Sequence, residues 1–545
     1  MDSVLVYNPL MDSPATEGTT ANRQIARAAG TVMLAILAGQ VFSLLSSILI
    51  TKAFGTGMES EAFYAANRLP DILYNLVAGG ALASAFIPTF TGLLANAKRE
   101  KAWLLASAVA NLITAIFVVL GILAAILAPW IIRNILAPGF TDPVKFQLTV
   151  ELVRIQLAAP VIFGLSGLTM GILNSHQSFL WPAIAPAMYS IGKILGVVLL
   201  APSIGVYGLA IGVVGGALMH GLVQLPALLR LAGRKYTPTF GLKLPDVREV
   251  ARLMGPRLLG VAFVQLNFLV NARLASLQPE GSVSAIAYGF ALMLIPESAI
   301  AQAIAIAALP TFSAQVATGK LTEMRSSLAA LLRAILLLAV PASLGLLLLA
   351  KPLVAFIFER GAFDPGSTTM VTWALTWYAV GLVGHSIVEI LSRAFYALHD
   401  TKTPVFVGVA AMSLNVLLSV LFSRLFNAAG WMPHGGLALA NSVATFLESF
   451  ALIFFMRRRL TGIEGRNVLN GTWKSLLAGG IMAAVLWGWI LITGSAGSWL
   501  VTLGGMSIGI MVYAAALRLF RTPELMGVVN FIRRKIRPQT KENPA

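Results

Sequence analysis

The chain of 545 residues is 57% hydrophobic and only 11% charged, carries a formal net charge of +17, and contains no cysteine. A soluble protein of this length needs a charged surface, which this composition does not supply. The lack of cysteine excludes disulfides, thiolate metal sites and cysteine nucleophiles. The basic residues fall in short loops between apolar runs, which points to a membrane and not to nucleic acid.

The first 22 residues are polar and include acids, so they do not read as a signal peptide, and the first apolar run is expected to stay as a helix. About fourteen runs long enough to cross a bilayer core of about 30 Å then follow. In order they are Gly30–Phe54, Ala62–Leu93, Ala102–Ile132, Leu148–Leu173, Phe179–Ala201, Val206–Leu231, Val247–Leu277, Val283–Phe312, Leu321–Leu349, Thr369–Tyr396, Thr403–Phe426, Gly436–Met456, Trp473–Thr493 and Trp499–Leu519. These runs predict an all-α polytopic membrane protein. A segment 1–29 precedes the helices, and a basic tail 520–545 follows them.

Alternate loops carry most of the positive charge. One set holds Arg23 and Arg27; Lys98, Arg99 and Lys101; Arg230, Arg234, Lys235 and Lys243; Lys320 and Arg325; Lys402; Arg457 to Arg459; and the tail Arg533, Arg534, Lys535 and Arg537. The other set is poorer, and its loops 202–205 and 494–498 have no positive charge. By the positive-inside rule both termini are expected in the cytoplasm.

The chain repeats itself at an offset of 222 residues. Pro88-Thr89-Phe90 matches Pro310-Thr311-Phe312, Gly139 of APGFTD matches Gly361 of ERGAFD, and Pro182 matches Pro404. Six spans fit in one repeat, and an even number makes the halves parallel. The expected organisation is a lobe over 30–231, a second over 247–457, and two further helices over 471–519.

Several segments, in order along the chain, resemble the MviN/MurJ family, the lipid II flippases of the multidrug/oligosaccharidyl-lipid/polysaccharide exporter superfamily. They are FGTGMESEAFYAANRLPDILYNLVAGGALASAFIP from Phe54, APGFTD from Ala137, GILNSHQSFLWPAIAP from Gly171, MGPRLLGVAFVQLNFLVNARLAS from Met254, GSVSAIAYGFALMLIP from Gly281, ERGAFD from Glu359 and FYALHDTKTP from Phe395. The resemblance implies two six-helix lobes around a central cavity, with the last two helices forming a lipid-facing groove. It also implies a multi-pass protein of the bacterial cytoplasmic membrane that moves undecaprenyl-linked peptidoglycan precursor to the outer leaflet by alternating access. Its expected partners are that lipid-linked glycan, membrane lipids and cell-wall synthesis proteins. No cofactor is implied; membrane potential, sodium or protons are the candidate drives. The chain departs from the family where arginines are usual: Gln40 and Ser46 stand in the first span, Tyr74 in the second and Ala291 in the eighth. The aspartate near the start of the second span is here Glu61.

Charge at membrane depth costs about 2.5–3.5 kcal/mol on insertion scales, so it is expected to face a cavity or a partner. On the second span Glu61, Tyr64, Arg68, Asp71 and Asn75 follow 3–4–3–4 spacing and share one helix face that leads to Gly79-Gly80. This stripe reads as cavity lining with Arg68 on an anionic head group, against the plainer reading of Arg68–Asp71 as a self-neutralising pair. On the seventh span Arg257, Asn267 and Asn271 share a face. Arg257 is either a phosphate-binding guanidinium or a side chain snorkelling to the interface, and Arg273 reads as an outer-interface residue. Lys193 and its repeat counterpart Asn415 both place a polar group at mid-membrane, where the resemblance implies a sodium site that Ser419, in place of an acid, does not complete. Glu297, Arg333, Glu389, Arg393 and Glu448 read either as coupling groups or as inter-helix pairs. Gly79, Gly80, Pro70 and Pro296 are candidate hinges. The five histidines are scattered without metal-ligand spacing, and no phosphate loop or catalytic triad is present, so an enzyme is not expected. Three functions stay open: a lipid II flippase, a flippase for another undecaprenyl-linked glycan, and a non-transporting membrane scaffold.

Overall fold

The computed structural model describes Ala35, residues 38–77 and residues 81–522; for 76, 77, 81–84, 256, 257, 259 and 260 it describes the backbone alone. The Gly79-Gly80 flexure and the segment 1–29 lie outside or almost wholly outside the described residues, as does most of the basic tail. The described chain is helical throughout, with no strand. Its helices are α1 (Ala38–Phe54), α2 (Met58–Val77), α3 (Ala81–Ala95), α4 (Arg99–Leu136), α5 (Pro143–Ser175), α6 (Leu180–Ile204), α7 (Val206–Leu229), α8 (Pro245–Ser276), α9 (Ser282–Ala317), α10 (Leu321–Phe358), α11 (Pro365–Ala397), α12 (Lys402–Ala428), α13 (His434–Arg459), α14 (Gly465–Thr493) and α15 (Ser498–Leu519).

Eleven of these are long and apolar enough to cross a bilayer. Shorter apolar stretches, Ala38–Phe54, Ala85–Ala95 and Val261–Ser276, fall on the first, second and seventh expected spans. The count of about fourteen is therefore approximate, and the second span is divided between α2 and α3. Large apolar side chains such as Ile122 and Ile126 of α4 and Ile492 of α14 are exposed, as a lipid-facing surface requires.

The repeat is visible in the caps and the packing. Asp142 caps α5 by accepting from the Val144 N–H at 2.7 Å, and Asp364 caps α11 by accepting from the Ser367 N–H at 2.7 Å; each precedes a proline at the first helical turn. These two aspartates are 222 residues apart. In the first lobe α5 packs on α3, α4 and α7, and α6 packs on α7. In the second, α11 packs on α9, α10 and α13, and α12 packs on α13. Each pairing is the other shifted by one repeat.

Apolar burial divides the two lobes in an informative way. At the end of the bundle holding the 55–57, 137–142, 277–281 and 359–364 loops, both lobes contribute to one core, including Phe54, Phe63, Leu136, Tyr288, Phe358 and Phe363. Towards the other end there are two cores, and the one on the first lobe also takes in Val247 and Val250 from the start of α8. One is built on Phe90, Ala102, Ala106, Leu168 and Ile172, the other on Phe312, Met324, Leu328, Ile390 and Ala394. These are repeat-equivalent positions, residue for residue. The lobes thus share one core at one end and, at the other, have two cores, of which the first lobe's is extended by the start of α8.

Helices α6 and α7 approach most closely through glycine. A Cβ on Gly192 would lie 2.2 Å from Gly216 Cα, and one on Gly212 would lie 2.8 Å from Gly196 Cα. The Gly208, Gly212, Gly216 run of the sixth span therefore serves backbone contact. Helices α14 and α15 lean on α10 through a polar pin: Ser475 Oγ is 2.7 Å from Tyr513 OH, which donates to Leu337 O at 2.9 Å.

The glycine contact gives a stability prediction. Gly212→Leu should force α6 and α7 apart and cost about 1–3 kcal/mol by overpacking, read as a lower unfolding midpoint in detergent. Gly215→Leu, whose Cβ direction is open, should leave the midpoint close to that of the unaltered protein.

Candidate functional site

The seam between the lobes holds the polar side chains that the composition makes scarce. At the joined end, the Glu61 carboxylate accepts from Lys145 Nζ of its own lobe and from the Val283 N–H of the other lobe, the latter at 2.9 Å. Val283 is Glu61's own repeat counterpart, so this bond marks the axis relating the lobes. Glu61 is 2% exposed. It was expected on the cavity stripe; it is instead a closed ion pair within the seal, because the α2 face turns into the joined core over its first turn. Lys145 Nζ also lies 4.1 Å from the Phe140 ring centroid.

The rest of the seal follows the same symmetry. Thr56 Oγ1 and Ser367 Oγ are 2.8 Å apart across the lobes, and Ser60 Oγ is 2.9 Å from Tyr288 OH. The Ala362 N–H donates to Lys52 O at 2.9 Å, and Arg273 donates to the Asn134 carbonyl. Arg273 is thus bound to α4 of the first lobe. The matched glycines explain themselves here. A Cβ on Gly139 would lie 1.9 Å from Ser276 O, and one on Gly361, whose φ is +65°, would lie 2.4 Å from Lys52 O. Each lobe presses a glycine loop against the end of the other lobe's first helix. Sequence alone shows that these glycines repeat but not what they touch.

Further along α2, Asn67 Nδ2 donates to Asp71 Oδ2 at 2.7 Å, and Asn75 Nδ2 donates to Asp71 O at 2.9 Å. Arg68 and Lys193 both lie within electrostatic reach of the Asp71 carboxylate. The Arg68 guanidinium stands 5.4 Å from the Phe268 ring of α8, so it spans the seam, while Lys193 Nζ stands 4.7 Å from the Tyr189 ring. Tyr64 packs edge-on against Tyr288, with ring centroids 5.2 Å apart. The stripe therefore gathers two cations and one carboxylate at the lobe interface, with Lys193 joining it from α6. Pro70 lies within α2 at this level.

Asn267 and Asn271 are placed differently from expectation. Asn267 Nδ2 donates to Met412 O at 3.0 Å, Asn415 Nδ2 donates to Asn267 Oδ1 at 3.1 Å, and Ser419 Oγ donates to Asn271 Oδ1 at 3.1 Å. Asn267 is 4% and Asn415 1% exposed. They form a neutral zipper that fastens α8 to α12 inside the second lobe and are not cavity ligands; buried amides need such partners. Lys193 and Asn415 share a depth but not a task. Arg257 is on α8, but its side chain is outside the described residues.

Between α1 and α9 lies a cavity of about 280 Å³ lined by Gln40, Ser43, Ser47, Glu297, Ser298 and Gln302 among others, with Ala291 on its wall. Two of the positions where the family resemblance leads one to expect arginine thus border a hydrogen-bonding, largely neutral space. Pro296 and Glu297 end the first part of α9, and a π-helical turn follows over Ser298–Gln302.

The profile of the family described as "Lipid II flippase MurJ" matches residues 50–503. The "Lipid II flippase MurJ" of Burkholderia cenocepacia is 33% identical over 440 residues, covering 79% of this chain and 84% of that protein. The "Probable lipid II flippase MurJ" of Vibrio cholerae is 30% identical, covering 86% and 90%. A solved structure titled "Lipid II flippase MurJ, inward closed conformation" aligns with a TM-score of 0.77 at 24% identity over 90% of this chain. An inward-facing multidrug resistance MATE transporter of the MOP superfamily aligns at 0.66 and 15% identity. The last two likenesses establish the fold.

The seal predicts a cross-link. In this chain, which has no native cysteine, Thr56→Cys with Ser367→Cys should form a disulfide under mild oxidation. Removing a charged acceptor from a buried hydrogen bond is worth about 1.5–3 kcal/mol. Glu61→Gln should therefore lower the cross-linked fraction; an unchanged yield would show that the seal does not depend on this carboxylate.

Proposed function

We propose, on the premise that this chain belongs to the lipid II flippase MurJ family, that it carries lipid II from the inner to the outer leaflet of the bacterial cytoplasmic membrane by alternating access. The observation that supports this reading most is the pairing of one shared core at a sealed end with two cores at the other, the first lobe's extended by the start of α8. Such a body can rock about its seam without repacking either lobe. The loop charges support a sealed end on the outer side and both termini in the cytoplasm. The described seal would then belong to an inward-oriented state, and opening it would release the substrate outward.

The Arg68–Asp71–Lys193 group is the substrate-binding centre in this reading. A pyrophosphate needs cations once it leaves water, and Arg68 and Lys193 approach the seam from two helices of the first lobe. A phosphate arriving there competes with Asp71 for both cations. Arg257 of α8 is the further candidate cation in this reading. A second reading, transport of another undecaprenyl-linked glycan, is favoured by the neutral cavity at Gln40 and Ala291, since hydrogen-bonding side chains there suit sugar hydroxyls. Membrane lipids would occupy the α14–α15 groove, and cell-wall synthesis proteins would be the partners that consume the product.

Arg68→Ala and Lys193→Ala should each reduce lipid II flipping in proteoliposomes by about tenfold, the loss of one charge-assisted contact. Arg234→Ala, an exposed loop control, should flip normally. Normal flipping by the Arg68/Lys193 double variant would place the head group elsewhere. Reporter fusions at Ala545 and in the 494–498 loop should fall on opposite sides of the membrane.

A further inference from the structure

The second lobe carries charges that the repeat does not explain. Glu389 and Arg393 of α11 correspond, at the 222-residue offset, to Gly167 and Gly171 of α5, and Glu297 of α9 corresponds to Asn75 of α2. Half-buried charges standing where the twin lobe has glycine are costly additions, and additions of that kind inside a membrane protein mark function.

Their geometry is unbalanced. Arg393 Nη2 donates to Glu389 Oε1 at 2.7 Å, one turn away on the same helix. Glu297 lies within electrostatic reach of both and is 9% exposed. Two carboxylates thus share one guanidinium. Among the described residues, Arg393 is the cation within electrostatic reach of Glu297. From α11, His385 is turned to Asn441 of α13, at 3.0 Å, and Tyr396 lies under Arg393. From α13 comes another acid, Glu448, which lines a separate groove of about 500 Å³ with Lys402 and Thr403 at its mouth. Arg333 of α10 packs along Gly471 of α14, within reach of Glu464. Helices α2 and α8 present Ser60, Tyr64 and Phe268 to Tyr288 and Phe290 of α9, and α1 presents the neutral Gln40, Ser43 and Ser47.

Glu297 also occupies a mechanical position. It borders the polar cavity between α1 and α9, so its carboxylate has a hydrogen-bonding path out of the lobe. It directly follows Pro296 and directly precedes the π-helical turn Ser298–Gln302. A π-turn leaves backbone groups in loose register and is a common place for a helix to shift.

We propose that Glu297 is a proton-binding switch, reached from the α1–α9 cavity, whose ionisation is read by the Glu389–Arg393 pair and sets the bend of α9 at its π-turn. With Glu297 protonated, Arg393 is held by Glu389 alone, as observed. When Glu297 gives its proton to water in the cavity, its carboxylate competes for Arg393 and draws α9 towards α11. Because α9 begins in the seal with Val283, a change of its bend acts on the contact that holds the lobes together. The inference rests on the alternating-access reading above and adds the coupling chemistry to it.

The test uses the full chain in proteoliposomes, with spin labels on Lys98→Cys and Lys320→Cys, exposed repeat-equivalent sites in two loops at the unsealed end. Lowering the pH from about 8 to about 5, a range in which carboxylates in unusual surroundings titrate, should shift the inter-label distance distribution. Glu297→Gln should abolish that shift. Glu297→Asp, which keeps the acid, should retain it with a displaced midpoint and guards against misreading a folding defect. Replacing sodium by choline at constant pH should change nothing. A pH response that survives Glu297→Gln, is absent from the unaltered protein, is lost in Glu297→Asp, or follows sodium would overturn the proposal. Lipid II flipping is measured in the same vesicles. Flipping without a pH-dependent shift sinks the switch alone, and a pH-dependent shift without flipping sinks the substrate reading alone.

Discussion

The structure depends on how one buried negative charge is satisfied. Glu61 lies in an apolar seam where an unpaired carboxylate would be prohibitive, and its two kinds of partner come from different bodies. Lys145 belongs to the same lobe and travels with it. The Val283 N–H belongs to the other lobe. Separating the lobes therefore removes a hydrogen bond to the carboxylate but not its counter-ion. The charge stays neutralised in both arrangements, so opening costs a contact of about 1.5–3 kcal/mol rather than the much larger penalty of a buried orphan charge.

That distinction sets the energy scale of the whole cycle. The polar contacts across the seam include Glu61 to Val283, Thr56 to Ser367, Ser60 to Tyr288, Tyr288 to the Gly55 carbonyl, Lys52 O to the Ala362 N–H, the Gly139 N–H to Ser276, and Arg273 to the Asn134 carbonyl. Driving a two-state equilibrium from one side to the other takes about 5.5 kcal/mol of differential binding. In the proposed cycle a charged ligand at Arg68, on the same helix as Glu61, and at Lys193 of α6 would supply differential binding of this kind. The glycine loops at Gly139 and Gly361 add shape without adding much energy, which suits a contact that must close repeatedly.

Much of this was legible in the sequence, for identifiable reasons. Apolar run length and loop charge speak directly to a bilayer, so helix order was readable residue by residue, except that α2 and α3 read as one run. The 222-residue offset was readable because turns and caps need particular residues: Asp142 and Asp364 cap helices, and Gly139 and Gly361 permit close approach. The site was only partly readable. Helical periodicity put Glu61 on the same face as Arg68 and Asp71, and that is true of the isolated helix. Periodicity cannot say that the other lobe covers the first turn of that face and not the second. The same blindness placed Asn267 and Asn271 in the cavity, when the partner they turn to, α12, is 145 or more residues away in the chain. Lys145 escaped notice because a lysine at a helix start looks like an ordinary loop charge until its acid is found.

The lobes share a backbone plan yet divide their charges unequally. The first lobe places Arg68, Asp71 and Lys193 at the seam, where a ligand can reach them, and keeps glycine at positions 167 and 171 within its own packing. The second lobe is the reverse. Its seam-side asparagines are fastened to α12, and its acids and arginine lie inward on α9 and α11. A symmetric pair of lobes with symmetric charges would favour neither direction of rocking. In the cycle proposed above the two halves would respond to different things, one to what enters the seam and the other to what reaches its own interior. They meet in the seal, where Glu61 and Ser60 of α2 bond to Val283 and Tyr288 of α9, so any state adopted by α9 is felt by α2, and any load on α2 is felt by α9.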